Sequence, residues 1–217
     1  MTDRDDVYRP DAPNGRAWSE MEGRFLNHAE LVYQPGEREL VREFFALLGF
    51  EVKEFGLPTV VLGVDGPGQT DFSNNAIYVS EILPEQLALS QAVAKALESP
   101  ENAALVAAFD ERRRREPQYH PHFGMRLARQ AQADILARIE ALDDPRLKDR
   151  IHVRVFGLDE PNVAAPGYIQ AFVFTDIVSV STTVPSGLTF ELQVVADQSQ
   201  LLSRRAMEAE AAAAAAG

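Results

Sequence analysis

The most informative stretch of the chain is residues 25–50, which read FLNHAELVYQPGERELVREFFALLGF. Its first nine residues are mostly apolar and end at a Pro-Gly turn, which predicts a strand. After the turn, apolar residues recur at spacings of three and four from Leu40 to Leu48, which predicts an amphipathic helix. Gly49 stands where a glycine commonly ends a helix. The stretch therefore predicts a strand, a turn and a helix in succession.

Two parts of the chain share one predicted element order, βαβββ. In the first part, three strands follow the helix at residues 50–55, 59–64 and 76–82. In the second part, a strand is predicted at 119–127 and the helix after it stops at 143–145. Three strands follow, at 150–156, 168–180 and 188–195. Because the whole order recurs, the sequence predicts an α+β fold made of two related modules.

The predicted organisation has five segments. They are a flexible N-terminal segment (1–24), a first βαβββ module (25–83), a helical linker (84–117), a second βαβββ module (118–197) and a low-complexity C-terminal tail (198–217). The linker ends in a basic run, Arg112–Arg115. It is either a patch for phosphate or an acidic partner, or a solvated helix end whose cations face the negative end of the helix dipole. We favour the second interpretation.

Composition excludes several classes of function. The chain has 217 residues, with 21 Lys and Arg, 33 Asp and Glu, four His and no Cys, and its formal net charge is −12. A nucleic-acid surface needs a basic face, and disulfides or Cys-ligated metals need cysteine. No apolar run approaches the roughly 20 residues that span a bilayer, and the polar, acidic start is not a signal peptide. We expect a cytoplasmic protein that binds neither nucleic acid nor membrane.

Four residues occupy matching places in the two predicted modules. His28 and His122 lie in the first strand of each module, and Glu81 and Glu191 lie in the last. A single histidine in a strand is more often a hydrogen-bonded core residue than a metal ligand. The repetition of a His and a Glu in both modules favours a shared functional site.

This pattern resembles the vicinal oxygen chelate superfamily, which comprises glyoxalases, bleomycin-resistance proteins and extradiol dioxygenases. The resemblance covers residues 24–197 and rests on three short motifs: residues 39–50, which resemble the junction between a helix and an "LGF" sequence, residues 122–127, and the closing Phe190-Glu191-Leu192. It implies two paired βαβββ modules whose curved mixed sheets enclose one cavity. It also implies metal ligands in the first and last strands of each module.

The metal ligands that the resemblance implies are His28, His122, Glu191 and Glu81. Imidazole and carboxylate ligands without thiolate favour Fe, Mn, Ni, Co or Zn as a divalent ion. Such an ion would bind a substrate through two adjacent oxygens. The candidates for the catalytic base are Glu81, if it is displaced from the metal, and Glu191.

The position of Glu81 leaves an alternative open. If Tyr78 is matched to Phe190, Val79 rather than Glu81 lies opposite Glu191. Since strand side chains alternate, Val79 and Glu81 share a face in either register.

Two other histidines and one tyrosine bear on the chemistry. His120 is either a ligand in place of His122, a base beside the metal, or a surface residue, and we favour the last. His152 lies on a polar strand face, so we expect no catalytic role for it. Extradiol enzymes place a His and a Tyr before the last glutamate. Here only Tyr168 stands between His152 and Glu191, which argues against ring cleavage.

Two functions of different classes follow from these residues. The first is a metal-dependent enzyme acting on a small oxygenated substrate by isomerase, lyase or dioxygenase chemistry. The second is a metal-free small-molecule binding protein of the bleomycin-resistance kind. The expected partner in either case is a small molecule, and a homodimer is left open.

Overall fold

The computed structural model describes residues 28–69, 75–157, 168–180 and 188–195. The N-terminal segment 1–24 and the C-terminal tail 198–217, both named from sequence, lie outside these residues. Among the described residues, no helix is both long and apolar enough to cross a membrane.

The first module has four strands and one helix. The strands are β1 (His28–Tyr33), β2 (Glu51–Lys53), β3 (Val60–Gly63) and β4 (Ala76–Glu81), and the helix α1 spans Arg38–Leu47. The sheet order is β1-β4-β3-β2, in which β1 is parallel to β4 and the other pairs are antiparallel. Leu31, Val60, Leu62 and Val79 share one face of this sheet and are buried.

Helix α1 ends as its sequence predicts. Gly49 has a φ of +84°, a backbone conformation that glycine adopts without steric cost. The N–H of Gly49 donates to the carbonyl of Ala46, and the N–H of Phe50 donates to the carbonyl of Phe45, both at 3.0 Å. The rings of Phe45 and Phe50 lie 5.1 Å apart. These two hydrogen bonds and the apolar contact are those of a Schellman motif.

The second module repeats this arrangement. Its strands are β5 (Phe123–Arg126), β6 (Ile151–Phe156), β7 (Tyr168–Thr175) and β8 (Leu188–Val195), with helices α4 (Arg129–Glu140) and α5 (Pro145–Lys148) between β5 and β6. The sheet order is β5-β8-β7-β6, with β5 parallel to β8. The prediction of an α+β fold built from two βαβββ modules is therefore confirmed.

Helix α4 covers one face of the second sheet. Its Gln132 is buried and donates to the backbone carbonyl of Leu192 at 2.6 Å and to that of Ile169 at 3.3 Å. Leu136 of the helix lines a shared groove with Val153 and other side chains of β6. On the opposite face, β7 and β8 carry buried polar side chains.

The linker forms helices α2 (Pro84–Leu97) and α3 (Pro100–Arg115), followed by a short 3-10 helix at Pro117–Tyr119. Neither α2 nor α3 contains a buried residue. The described residues divide into two compact units, one made of 28–69, 75–96 and 176–180, the other of 97–157, 168–175 and 188–195. That the two sheets enclose one cavity stays a prediction.

The short segment that follows β7, residues 176–180, belongs to the first unit. Ser179 exchanges two backbone hydrogen bonds with Val32 of β1, each 2.9 Å long. Strand β1 is the outer strand of its sheet. The segment therefore pairs part of an edge that would otherwise expose unpaired backbone groups.

Candidate functional site

Glu191 is a buried carboxylate in the middle of the second sheet. It lies in β8 between Gly124 of β5 and Phe172 of β7, and 6% of its surface is exposed. Its side chain is on the face opposite α4, because directly paired residues share a face and neighbours along a strand alternate. The strand pairing therefore fixes which face of the sheet carries the charge.

Three side chains donate hydrogen bonds to this carboxylate. His122 Nε2 lies 3.0 Å from Oε2, and Gln193 Nε2 donates to Oε1 at 3.0 Å. Gln170 Nε2 also donates to Oε1. Burial raises the pKa of Glu191, but the hydrogen bonds from His122 and from the two glutamines outweigh it, and the pKa is lowered overall. Glu191 is therefore held as a carboxylate.

His122 is the hydrogen-bond partner of Glu191 Oε2. It directly precedes β5, and its ring packs edge-on against Phe172 with centroids 5.5 Å apart. The Nδ1 atom lies 2.6 Å from the backbone carbonyl of His120. The hydrogen bond to Glu191 raises the pKa of His122 against the opposing effect of burial, and the bond to His120 adds to the rise. Both ring nitrogens thus face acceptors, which favours the protonated ring.

Aromatic rings extend from this pair across the same face of the sheet. Phe172 contacts Phe156 edge-on, with centroids 5.8 Å apart, and both belong to a buried cluster with Phe174. The guanidinium carbon of Arg113 lies 5.5 Å from the centroid of the Phe174 ring, and that of Arg154 lies 4.9 Å from the Phe156 centroid. The face is therefore apolar in the middle, with cationic groups above two of its rings.

The first module carries a different pair at the matching place. His28 begins β1, and its ring lies edge-on to that of Tyr78 with centroids 5.6 Å apart. Tyr78 pairs with Glu30, two residues after His28, just as Glu191 pairs with the residue two positions after His122. With the two histidines taken as equivalent, Tyr78 occupies the position of the carboxylate.

Glu81 lies apart from His28. It pairs with Tyr33 at the far end of β1, and it is three residues beyond Tyr78 and so on the other face of the sheet. The exposed Glu81 Oε2 accepts a hydrogen bond of 3.3 Å from the backbone N–H of Gly36. It shares its face with Val79, as the alternation of strand side chains predicts. The structure therefore brings His122 and Glu191 together and does not bring Glu81 to His28.

The remaining candidates lie around the site rather than in it. The backbone carbonyl of His120 orients His122, while its own ring packs against Phe109 at 5.2 Å. Burial, followed by the charge of Arg113, lowers the pKa of His120. His152 is exposed on β6, and Tyr168 begins β7.

Sequence reasoning missed Gln170 and Gln193. Each is a polar residue in a strand that is otherwise mostly apolar, and each shares the face of Glu191. Gln193 stands two residues after Glu191, the period that places side chains on one face of a strand. This spacing could have identified Gln193 from the sequence. Gln170 could be identified only once the pairing of β7 with β8 was known.

These side chains supply fewer ligands than a divalent metal site needs. Catalytic zinc sites use three protein ligands. In the described part of the chain, no group of three or more His, Asp or Glu side chains is placed to hold a metal ion. The second unit supplies one imidazole and one carboxylate, and Glu81 is turned away from the imidazole of the first. The described residues therefore do not form a complete metal site.

Comparison with known proteins gives similarity in structure but not in sequence. No family model and no curated protein matches the chain. A putative glyoxalase family protein from Bacillus anthracis shares 13% identity over 81% of this chain and 99% of its own, with a TM-score of 0.39. A glyoxalase/bleomycin resistance protein/dioxygenase from Nocardioides is 13% identical in sequence, and the match covers 82% of this chain and 89% of that protein, with a TM-score of 0.35. The duplicated βαβββ order seen here is the one that the sequence resemblance implies.

Proposed function

We propose that this chain is a small-molecule binding protein with a glyoxalase-like fold, and that its ligand binds beside the His122–Glu191 pair of the second module. The pair lies in a sheet face that helix α4 leaves uncovered. The His122 side chain keeps 21% of its surface exposed, so a ligand can reach it, whereas the Glu191 side chain keeps 7%.

The observation that carries the proposal is the ionised, buried state of Glu191. Transfer of a carboxylate out of water is costly unless hydrogen bonds and an opposite charge replace its hydration. Here one imidazole and two amides do so. An apolar side chain would fill this position of the sheet at lower cost. Buried charges held in this way are concentrated at functional sites.

A capture experiment tests the proposal. The purified protein is equilibrated with a metabolite extract, separated from unbound compounds and analysed by mass spectrometry. We expect at least one compound to be retained by the unmodified protein, and its retention to fall by about tenfold or more in Glu191→Gln, because a charge-assisted hydrogen bond contributes about 1.5–3 kcal/mol.

Glu81→Gln is the matched control, since it makes the same change on a strand where the carboxylate is exposed and lies away from the pair. It is expected to retain the compound at the unmodified level. Retention that is equal in Glu191→Gln and the unmodified protein would contradict the proposal, as would retention of no compound.

A metal-dependent enzyme is the second candidate, and two observations favour it. The Nδ1 atom of His122 faces a backbone carbonyl, the arrangement that orients metal-binding histidines through their other nitrogen. His122 Nε2 and Glu191 Oε2 lie 3.0 Å apart. Two ligand atoms have this separation when each is about 2.1 Å from the same metal and the angle between the two metal–ligand bonds is about 90°. This candidate needs a third ligand beyond the two that the second unit supplies.

Metal analysis separates the two candidates. The protein is purified after growth in medium supplemented with Fe, Mn, Ni, Co and Zn salts, and its metal content is measured. A stoichiometric metal that is lost in both His122→Ala and Glu191→Gln, with the fold kept, would favour the enzyme. The binding-protein proposal predicts less than about one tenth of a metal per chain.

A further inference from the structure

Gln170 carries a buried hydrogen-bond acceptor that no described residue uses. Its side chain is 2% exposed, and its Nε2 donates to Glu191 Oε1. Its Oε1 atom is buried and accepts no hydrogen bond from the described residues. Buried amide oxygens in folded proteins nearly always have a donor, since an unpaired one loses its hydration without replacement.

The orientation of this amide is fixed by its neighbours. If the Gln170 amide were turned over, its oxygen would face the Glu191 carboxylate, and two acceptors would repel each other. Gln193 already donates to the same carboxylate oxygen at 3.0 Å, so Glu191 Oε1 has donors for both lone pairs. The unused acceptor at Gln170 is therefore a consequence of how the carboxylate is held.

A second acceptor on the same face, Glu191 Oε2, lies next to a glycine. Gly124 is exposed and lies directly opposite Glu191 in the sheet. Its φ is not positive, and a Cβ added there would lie 3.5 Å from Glu191 Oε2, an ordinary contact. Neither the backbone nor crowding therefore requires glycine at this place. A glycine within a strand often marks close approach of a ligand.

Glu191 Oε2 has capacity for such a ligand. Among the described residues it accepts only from His122, while a carboxylate oxygen accepts two hydrogen bonds. The donors of His122 are both directed at other groups, Nε2 at Glu191 and Nδ1 at the His120 carbonyl. Beside His122 and Glu191, the groups left for a ligand are thus acceptors, whereas the guanidinium groups of Arg113 and Arg154 lie over the Phe174 and Phe156 rings.

We infer that the ligand of this site is an alcohol, phenol or amine whose O–H or N–H group donates to Gln170 Oε1, and that an amine, which has more than one N–H, also donates to Glu191 Oε2 past Gly124. A carboxylate or phosphate would place negative charge against these two acceptors and is therefore expected to bind less tightly. This inference rests on the proposed function and specifies the chemical class of its ligand.

The test uses three probes with one ring and different polar groups: phenol, benzylamine and benzoate. Binding to the full chain is measured by protein-observed NMR titration. Phenol and benzylamine are expected to bind about tenfold more tightly than benzoate, the difference expected when a hydrogen bond is replaced by a repulsion between acceptors. Gln170→Met is expected to weaken both by about tenfold, because it removes the unused acceptor.

Two further variants make the test specific. Gln193→Met removes an equivalent donor to Glu191 Oε1 without removing an unused acceptor, so it is expected to weaken the binding of both probes less than Gln170→Met does. Gly124→Val places a branched side chain in the approach to Glu191 Oε2 and is expected to weaken binding. NMR spectra of each variant report whether the fold is kept.

Benzoate binding as tight as phenol and benzylamine would overturn the inference, as would equal effects of Gln170→Met and Gln193→Met. Failure of both phenol and benzylamine to bind would also overturn it. Retention of a metabolite that depends on Glu191 but not on Gln170 would reject this inference while the proposed function stands. Retention of no metabolite would reject both.

Discussion

The two modules share a fold but differ at one pair of residues. In the second module an imidazole meets a carboxylate at 3.0 Å, whereas in the first the ring of His28 meets that of Tyr78. A tyrosine hydroxyl is a weaker partner for an imidazole than a carboxylate is, because charge-assisted hydrogen bonds are the stronger ones. Two similar sheets therefore lie in one chain, and among the described residues only the second has this charged pair.

The charged pair makes stability depend on pH. His122 has a raised pKa in the folded protein. Its contribution to the free energy of unfolding is therefore complete below the ordinary pKa of 6.5 and is lost as pH rises through the folded-state pKa. Glu191 has a lowered pKa, so its contribution is complete above the ordinary value of 4.5 and is lost as pH falls through the folded-state pKa. The pair therefore stabilises the fold most between these two ordinary values.

Chemical unfolding of the unmodified protein and of His122→Gln across this pH range measures the effect. The free energy of unfolding is expected to differ by about 2 kcal/mol inside the window, the contribution of a hydrogen bond between charged groups. The difference is expected to shrink on either side. His28→Gln is the matched control, and a constant difference for His122→Gln at every pH would refute the ion pair.

At the scale of elements, the end of helix α1 depends on one glycine. Gly49→Ala would force an alanine into a φ of +84° and is expected to lower the free energy of unfolding by about 1–2 kcal/mol. Gly157→Ala is the control, because its φ is not positive and an added Cβ meets nothing within 4 Å. Urea denaturation measures both, and an equal effect of the two substitutions would show that the turn tolerates any residue.

Element order was predictable because hydrophobic spacing and turn residues are local signals. The helix before Gly49, the strands around it and the repetition of βαβββ all followed from patterns within about ten residues. The match of His28 with His122 followed from the same repetition. The sequence also placed Glu191 in the last strand of the second module, where the structure has it.

Strand register was not predictable in this way, and it decides the composition of the site. Tyr78 rather than Glu81 takes the position of the carboxylate, because β1 and β4 are paired from His28 with Ala76 to Tyr33 with Glu81. A shift of one residue in register moves every side chain to the other face. Gln170 reached Glu191 only through the pairing of β7 with β8, which no local pattern reveals.

At the scale of the whole molecule, the linker helices are held less firmly than the modules. Helix α1 buries four residues, whereas α2 and α3 bury none. Local opening is easier where few apolar side chains are buried. Hydrogen exchange is therefore expected to be faster for the backbone amides of α2 and α3 than for those of α1, and equal protection of all three helices would contradict this account.

The molecule as a whole combines a negative net charge with a buried carboxylate on one sheet face. The net charge of −12 suits a protein that does not bind nucleic acid. The assignment of Glu81 and Glu191 as catalytic residues, a cytoplasmic location and a homodimer stay predictions. A lowered pKa makes Glu191 a weaker base, so its place in the account is that of a charged anchor for the ligand.

The most direct test of the account is a crystal structure of the protein with the compound that it retains from a metabolite extract. The account predicts density for that compound beside Gly124, with a donor atom within about 3.2 Å of Glu191 Oε2 and the His122–Glu191 hydrogen bond kept. A compound bound away from this pair, or a metal ion coordinated by His122 and Glu191 in its place, would contradict it.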